Sequence, residues 1–284
     1  IFNQTFQDFE VILLDDCSTD GSWEFLKNFK HYPKVSHCIR NESNSGSPFR
    51  QWKKGIDLAK YDWIWIAESD DFSHPEFLSS CFELVDQETN LIFCKSNFVD
   101  ETDKIITNIE FIKEMDEYSL PENFDSMDGF NFIREYLSKK NYILNASGVF
   151  FRKPDIIPAE ILSMKFCGDW YFWIFILNQG KLKIVNNSLN YFRFHLNSTR
   201  NYTDTKNEFL RFQEYMFCFK YAFSFFKFYD LLQVNIDHYN EYIANYFNYS
   251  FKLGRFRKHA LFPYIPWLFY PKYYLLFLRS IIRD

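Results

Sequence analysis

Short apolar runs and segments with helical periodicity alternate along roughly the first hundred residues of the chain. Residues 9–14 form an almost unbroken apolar run, which is typical of a strand that is covered on both faces. Ser47-Pro48 is a good helix start, because a capping residue is followed by proline at the first helical position. The whole pattern predicts strands at 9–14, 35–39, 63–67 and 91–99, with helices at 23–29, from 47 to 59, and from 73 onward.

This alternation of strands and helices predicts an α/β fold, in which a mostly parallel central sheet is flanked by helices. In such sheets, ligands bind beside the carboxyl ends of the strands. Asp15-Asp16 and Glu68-Ser69-Asp70-Asp71 each lie at the end of a predicted strand. We therefore expect the two acidic clusters at the same edge of the sheet, near one crevice.

The rest of the chain is less regular. Residues 100–126 are acidic and are expected to form a loop, whereas 167–180 read as a helix that is apolar on nearly all sides and therefore buried. From residue 204, a stripe of Phe and Met at helical spacing predicts a C-terminal helical region that continues to about residue 253. The other predicted elements are a short helix at 130–137 and strands at 143–151, 183–185 and 189–195.

The composition narrows the functional classes. The net charge of −5 argues against nucleic-acid binding, which requires a basic surface. The six cysteines lie far apart and form no C-x-x-C pair, so they indicate neither metal nor redox use and fit a reducing cytosol. The longest late uncharged run, 260–271, holds 12 residues and three prolines, so the sequence predicts no membrane-spanning helix.

The chain begins IFNQTFQDFEVILLDD, without a signal peptide or an initiator methionine. This start reads as the end of a helix followed at once by a buried strand. We therefore expect the chain to lack an N-terminal portion of its domain.

Three carboxylates fall within four positions in Glu68-Ser69-Asp70-Asp71. Like charges this close repel each other, so the cluster needs either a cation or exposure to water. Mg²⁺ and Mn²⁺ bind oxygen ligands, usually one or two carboxylates together with substrate phosphates. The residues alone leave two interpretations open, a divalent-cation site and a solvated acidic turn.

Five segments of the chain carry a resemblance to a known family. They read EVILLDDCSTDGS, NSGSPFRQWKKGIDLAK, YDWIWIAESDDFSHPEFL, CGDWYFWIFILNQGKLKIV and LNYFRFHLNST, in this order. Their order and spacing strongly resemble the family 2 glycosyltransferases, which are inverting enzymes with a GT-A type nucleotide-binding fold. The resemblance covers roughly residues 1–200 and implies that the family's central first strand is missing here.

The resemblance assigns roles to the two acidic clusters. It places Asp15, and especially Asp16, against the base and ribose of a nucleotide-sugar donor. The family's D-x-D motif corresponds to Glu68-Ser69-Asp70, in which Asp70 holds the metal ion that bridges the donor diphosphate. Glu68 replaces the usual Asp and is assigned to the ribose or to a metal-bound water. Asp71 is assigned to local structure, as a cap for the next helix.

The later motifs supply the remaining candidates. Asp169 matches the general base of the family's E-D motif, although Gly168 replaces the Glu. His195 matches a histidine that binds the metal or the diphosphate, and Arg193 matches an arginine that neutralises phosphate. On the residues alone, Asp169 also reads as an ordinary helix N-cap, and His195 as a structural residue.

The resemblance thus implies metal-assisted, inverting transfer of a sugar from a nucleotide-diphosphate sugar to a hydroxyl of a saccharide or lipid-linked acceptor. Mn²⁺ or Mg²⁺ is the implied cofactor, and cell-surface polysaccharide synthesis is the implied setting. The expected location is the cytoplasm or the inner face of the cytoplasmic membrane. The alternative is an inactive remnant or a nucleotide-sugar-binding module, because the missing strand helps to hold the base.

We expect a catalytic domain at 1–203 and an aromatic-rich helical region at 204–284. For the second region, three interpretations stay open: an interfacial helix on a membrane surface, a helical lid packed on the catalytic domain, and a contact within a homodimer. The stripe of Phe residues favours packing.

Overall fold

A computed structural model describes residues 1–121, 124–195 and 204–227. Its strands are β1 (Val11–Asp15), β2 (Val35–Arg40), β3 (Trp63–Trp65), β4 (Phe72–Ser73), β5 (Thr89–Val99), β6 (Ser126–Asp128), β7 (Val149–Arg152) and β8 (Lys181–Arg193). Its α-helices are α1 (Ser22–Leu26), α2 (Pro48–Leu58), α3 (Phe77–Phe82), α4 (Ile109–Asp116), α5 (Gly129–Phe132), α6 (Gly168–Leu177) and α7 (Thr205–Ser224).

The described strands form two sheets. β1 and β2 pair in parallel, and the other six strands form a second sheet in the order β3-β7-β5-β8-β4, with β6 also paired to β8. The longest ladder pairs β5 with β8 and is parallel. The other pairings in this sheet are antiparallel: β7 pairs with β3 and with β5, and β8 pairs with β4 and with β6. The predicted α/β class is confirmed. Among the described residues β1 and β3 share no ladder, and the expected loss of a first strand stays a prediction.

The segment before β1 fastens the small sheet to the large one. The Gln4 side chain donates to the carbonyl oxygen of His74 and accepts from the amide of Leu78, both at 2.8 Å. The Thr5 amide donates to the carbonyl oxygen of Pro75, also at 2.8 Å. The expectation that the chain opens on a helix end is wrong, because residues 1–10 contain no helix and use these long-range bonds instead.

Side chains of the large sheet alternate between two hydrophobic clusters, as the period of two in a strand requires. On β5, Leu91 faces the larger cluster, which is built around α6, while Ile92 and Cys94 face the smaller one against α3. On β7, Phe151 and Phe150 divide in the same way. The sheet is therefore covered on both faces, which explains its nearly continuous apolar strands.

Helix α6 lies in the centre of the larger cluster. Eight of its ten residues are buried, which confirms the prediction of a helix that is apolar all round. It packs against α7 through aromatic contacts, with ring centroids 5.2 Å apart for Trp170 and Phe219 and 4.3 Å apart for Tyr171 and Tyr221. Burial on this scale fixes the direction of the helix and therefore the place of its first turn.

Two predictions for the middle of the chain are wrong in part. The expected loop at 100–126 contains α4, whose start is capped by Asn108 through the amides of Glu110 and Phe111. The expected strand at 143–151 begins only at Val149, because the Asn145 side chain accepts the amide of Ser147 and turns the chain. The two expected closing strands merge into β8.

The helix predicted after residue 203 is confirmed as α7, while the rest of the C-terminal region lies outside the described residues. Residues of α7 share the larger hydrophobic cluster with α6, so this helix is packed on the preceding part of the chain. The boundary between residues 203 and 204 stays a prediction. Among the helices that the structure describes, none is both long and apolar enough to cross a bilayer.

Candidate active site

Asp15 lies at the carboxyl end of β1 under an arginine from the neighbouring strand. Its side chain is only 1% exposed, and its Oδ2 atom is 3.1 Å from Nε of Arg40. Arg40, whose side chain is 37% exposed, also donates to the carbonyl oxygen of Ser18 and lies over the ring of Trp23. A ligand at this strand end would meet Arg40 first, so direct contact between Asp15 and a donor stays a prediction.

Asp16 holds the loop between β2 and α2. Its carboxylate accepts the side chains of Asn41 and Gln51, at 2.6 and 2.7 Å, and both the amide and the hydroxyl of Ser45. Burial acts to raise the pKa of Asp16, but the hydrogen bonds from these three residues outweigh it and lower the pKa. Asp16 is therefore kept ionised and shapes the loop at 41–47, and its predicted contact with a nucleotide remains untested.

The acidic cluster after β3 is divided between a buried and an exposed carboxylate. Asp71 points inward and accepts the Nδ2 atom of Asn145 at 2.8 Å and the backbone amide of Arg193 at 2.9 Å. Burial raises the pKa of Asp71, the hydrogen bonds oppose this, and the charge of Asp70 raises it further. The predicted role of Asp71 as a helix cap is wrong, because its partners lie in the segment before β7 and in β8.

Asp70 points outward and meets His195. The Oδ2 atom of Asp70 is 3.1 Å from Nε2 of His195, and the two side chains are 44% and 22% exposed. The amide of Glu68 donates to the hydroxyl of Ser147 at 3.0 Å, which fixes the start of the cluster. The sequence predicted both Asp70 and His195 as metal ligands, and the structure brings these two side chains together.

This pair fits a divalent cation that is completed by substrate. A carboxylate oxygen and an imidazole nitrogen are ligands that Mn²⁺ accepts, and Mg²⁺ or Mn²⁺ commonly takes its other ligands from phosphates and water. Within the described ranges, no group of three or more His, Cys, Asp and Glu side chains converges. Asp70 and His195 are thus two candidate ligands, and metal binding stays a prediction.

Arg193 fastens the loop that carries Asp70. Its guanidinium donates to the carbonyl oxygens of Asp70 and Asp100, at 2.7 and 2.9 Å, and to the carboxylate of Asp103 at 2.5 Å. The planar side chain also lies over the ring of Phe72. These contacts engage all three guanidinium nitrogens with protein acceptors, so Arg193 acts here on the position of Asp70, and the predicted phosphate contact is untested.

Asp169 lies in the first turn of α6 and is not its N-cap. The N-cap position is Cys167, which makes no side-chain capping bond. The Oδ2 atom of Asp169 accepts the Nδ2 atom of Asn141 at 2.9 Å. Asp169 is partly exposed, and a carboxylate in the first turn of a helix is stabilised in its ionised form, which a general base requires.

The glycine before Asp169 has a steric cause. A Cβ atom added to Gly168 would lie 2.5 Å from two ring carbons of Phe49. Phe49 belongs to α2 and is buried, so its ring occupies the volume that a larger residue at position 168 would need. The departure from the E-D motif is therefore built into the packing of α2 against α6.

Several residues with a clear part in this site escaped prediction from the sequence. Asn141, Asn145 and Ser147 all lie in the irregular segment before β7, and they bond to Asp169, Asp71 and Glu68 respectively. The sequence offered no signal for them beyond their polarity. Arg40 could have been found, because it directly follows the predicted strand at 35–39, at the edge where the acidic clusters were expected.

A family comparison fits this fold and site. The family model described as Glycosyl transferase family 2 matches residues 1–148, which is more than half of the chain. The chain belongs to this family. Its α/β sheet is accordingly that of a glycosyltransferase fold.

Individual relatives agree with this membership. The Escherichia coli protein named UDP-Glc:alpha-D-GlcNAc-diphosphoundecaprenol beta-1,3-glucosyltransferase WfaP is 26% identical over 200 residues, which are 69% of this chain and 70% of that protein. Glycosyltransferase GlyG of Streptococcus pneumoniae is 26% identical over 172 residues, which are 61% of this chain but only 45% of GlyG. The chain thus spans less than half the length of GlyG.

A solved structure shares the fold. The crystal structure of residues 1–349 of Staphylococcus aureus TarS, in complex with UDP, aligns with a TM-score of 0.53 over 98% of this chain and 81% of that one. The sequence identity is 15%, so this likeness concerns the fold alone.

Proposed function

We propose that the chain is an inverting glycosyltransferase that moves a sugar from a nucleotide-diphosphate sugar to an acceptor hydroxyl, with the help of a divalent metal ion. The observation that supports this most directly is the contact between Asp70 and His195, which come from motifs 125 residues apart and meet beside the sheet edge. UDP is the favoured nucleotide, because WfaP is named for a UDP-glucose donor and the TarS structure contains UDP.

In this proposal, Asp70 and His195 would hold Mn²⁺ or Mg²⁺. When bound, the cation would act as a Lewis acid that stabilises negative charge on the departing diphosphate. Arg193 keeps the Asp70 loop in place through its three acceptors. Asp16 shapes the loop at 41–47 beside the donor, and Glu68 faces the ribose.

Asp169 acts as the general base. It takes the proton of the acceptor hydroxyl, whose oxygen forms a bond to the anomeric carbon while the bond from that carbon to the diphosphate oxygen breaks. Attack from the face opposite the leaving group inverts the anomeric configuration. Asn141 orients the Asp169 carboxylate through its hydrogen bond to Oδ2.

The acceptor is proposed to be a saccharide or a lipid-linked saccharide in cell-surface polysaccharide synthesis. WfaP, whose name specifies a diphosphoundecaprenol-linked acceptor, supports this class. A lipid-linked acceptor would place the protein in the cytoplasm at the inner face of the membrane. A dimer and a peripheral membrane contact of the C-terminal region remain proposals without a supporting contact among the described residues.

Thermal unfolding with UDP, GDP, dTDP or CMP, each with and without Mn²⁺, tests the donor site. A ligand that binds only the folded state stabilises it by about 2.7 kcal/mol at a hundredfold excess over its Kd, which is a shift of several degrees. We expect UDP with Mn²⁺ to raise the melting temperature, and Asp70→Ala to abolish the rise. Asp57→Ala is the matched control, because Asp57 is an exposed carboxylate whose ion pair is with Lys53 on the same helix, α2.

Stabilisation by no nucleotide, with or without metal, would favour the alternative of an inactive remnant. Stabilisation without turnover would indicate a binding module. If transfer occurs, NMR of the product's anomeric proton tests the stereochemistry, and a retained configuration would contradict the single-displacement mechanism.

A further inference from the structure

A carboxylate from α7 is buried at the start of α6. Glu214 is only 6% exposed, and its two oxygens accept three consecutive backbone amides, those of Lys165, Phe166 and Cys167, each at 2.8 Å. The residue lies 45 positions after Asp169 in sequence, and nothing in the glycosyltransferase motifs points to it.

These bonds hold the three residues that lead into α6, the last of which is its N-cap, Cys167. Amides just before a helix have no intrahelical acceptor, and Cys167 itself supplies no side-chain capping bond. A carboxylate that accepts backbone amides makes charge-assisted hydrogen bonds, which are stronger than neutral ones. Burial raises the pKa of Glu214 from its ordinary value, and the three amides act in the opposite direction. Glu214 is thus an N-terminal anchor for α6 that is supplied by another helix.

Other contacts hold the same segment to α7. The Nζ atom of Lys165 donates to Oδ1 of Asn207 at 3.1 Å, and the thiol of Cys218 lies 3.6 Å from the carbonyl oxygen of Cys167. The segment 165–167 is therefore bound to three residues of α7, namely Asn207, Glu214 and Cys218, which lie along one face of that helix.

The anchored segment leads directly into the candidate base. Asp169 follows Cys167 by two residues, so the amides that Glu214 fixes set the direction of the turn from which Asp169 projects. Asn141 also holds the carboxylate, through its hydrogen bond to Oδ2. A displacement of about 1 Å at a reacting group can lower a rate by roughly a hundredfold.

We propose that Glu214 is a positioning residue for the general base, and this rests on the proposed function of Asp169. Glu214 does not touch the substrate. It places Asp169 for proton transfer, and it thereby makes the packed helix α7 a part of the catalytic unit.

A double-mutant cycle separates this role from a purely structural one. We would compare Glu214→Gln, Asp169→Asn and the double variant in transfer assays with UDP-sugars and a saccharide acceptor. Glu214→Gln keeps the shape but loses one acceptor oxygen, and we expect kcat to fall roughly 10- to 100-fold with the donor KM changed less than about twofold. In the Asp169→Asn background, the same change should have almost no further effect, because residues that act as one unit are not additive.

Glu208→Gln is the matched control. Glu208 is also a largely buried carboxylate of α7, but its ion pair is with Arg211 on its own helix. The Glu208→Gln variant should keep kcat within about twofold of the wild-type value. If Glu214→Gln does not fold, Glu214→Asp enters the same cycle, because its shorter side chain keeps the charge but cannot reach all three amides.

Each outcome has a defined meaning. Additive losses in Glu214→Gln and Asp169→Asn, with an active wild type, would overturn the positioning role and leave the proposed function intact. Equal losses of kcat in Glu214→Gln and Glu208→Gln would also overturn the positioning role, because they would reflect the stability of α7 alone. A wild type that transfers no sugar from any UDP donor would contradict the proposed function itself, and the positioning role with it.

Discussion

The hydroxyl of Ser47 donates a hydrogen bond of 3.1 Å to the carbonyl oxygen of Met164, in the interior and 117 positions away along the chain. Ser47 precedes α2 and belongs to the loop that Asp16 organises through Ser45. Met164 opens the segment that Glu214 anchors and that leads to Asp169. This single bond thus joins the proposed donor side of the site to the proposed acceptor side.

Removal of that bond should destabilise the protein. Ser47→Ala leaves the Met164 carbonyl buried without its donor, and a lost partner in the interior costs about 1–3 kcal/mol. We expect a loss of this size in urea unfolding at equilibrium. Ser163→Ala is the control, because the Ser163 hydroxyl makes a similar bond of 2.8 Å to the carbonyl oxygen of Glu160 at an exposed position. Equal losses of unfolding free energy in both variants would show that the buried position of the Ser47 bond does not increase its contribution to stability.

The stability that Asp16 provides should depend on pH in a defined direction. Its folded-state pKa is lowered from the ordinary value of 3.8, so its contribution is present above that value and is lost as the pH falls through the folded-state pKa. Asp16→Asn should cost about 1 kcal/mol near pH 7, a figure kept small because Asp16 is partly exposed to solvent. The difference in unfolding free energy from wild type should shrink as the pH falls below 3.8 towards the folded-state pKa.

Urea unfolding of both proteins across this range measures the effect, with Asp57→Asn as an exposed control. A difference between Asp16→Asn and wild type that stays constant down to about pH 3 would contradict the ionised state of Asp16 as its source.

The elements of this fold were largely predictable from the sequence, whereas the fine structure of the site was not. The strand at 91–99 and the buried helix at 167–180 could be predicted from local patterns, because buried strands and helices leave characteristic runs and spacings of apolar residues in the sequence. Asp70 and His195 could be found because they lie in motifs at the ends of strands. Their meeting is a property of the strand order, which local periodicity does not contain.

Asn141 and Glu214 could not be found in this way. Each is a polar residue whose partner lies 28 or more positions away, and the bond forms only when α6 is in place. Gly168 is a further case, since the sequence shows that a Glu is absent but only the position of the Phe49 ring gives the reason. Tertiary packing, not local preference, selects residues of this kind.

Gly168 should tolerate no side chain while Phe49 is present. In Gly168→Ala, the new methyl group would lie 2.5 Å from the buried ring, and such overpacking typically costs about 1–3 kcal/mol. Phe49→Leu should recover part of this loss in the double variant, because the smaller side chain vacates the volume. Thermal and urea unfolding of the two single variants and the double variant measure the coupling, and simple additivity of the two losses would contradict the proposed contact.

Arg193 offers a test between position and charge. If the side chain acted only as a positive charge near a phosphate, Arg193→Lys would keep most of the stabilisation by UDP and Mn²⁺. The structure shows a planar fork that donates to Asp70, Asp100 and Asp103 from three nitrogens, and the single ammonium group of lysine cannot reproduce this arrangement. We therefore expect Arg193→Lys to lose nearly as much of the nucleotide-induced rise in melting temperature as Arg193→Ala.

Arg134→Lys, at an ion pair with the neighbouring Glu135, is the control and should keep the full rise. If Arg193→Lys keeps the wild-type rise in melting temperature, Arg193 neutralises phosphate, and the proposal that it holds the Asp70 loop is wrong.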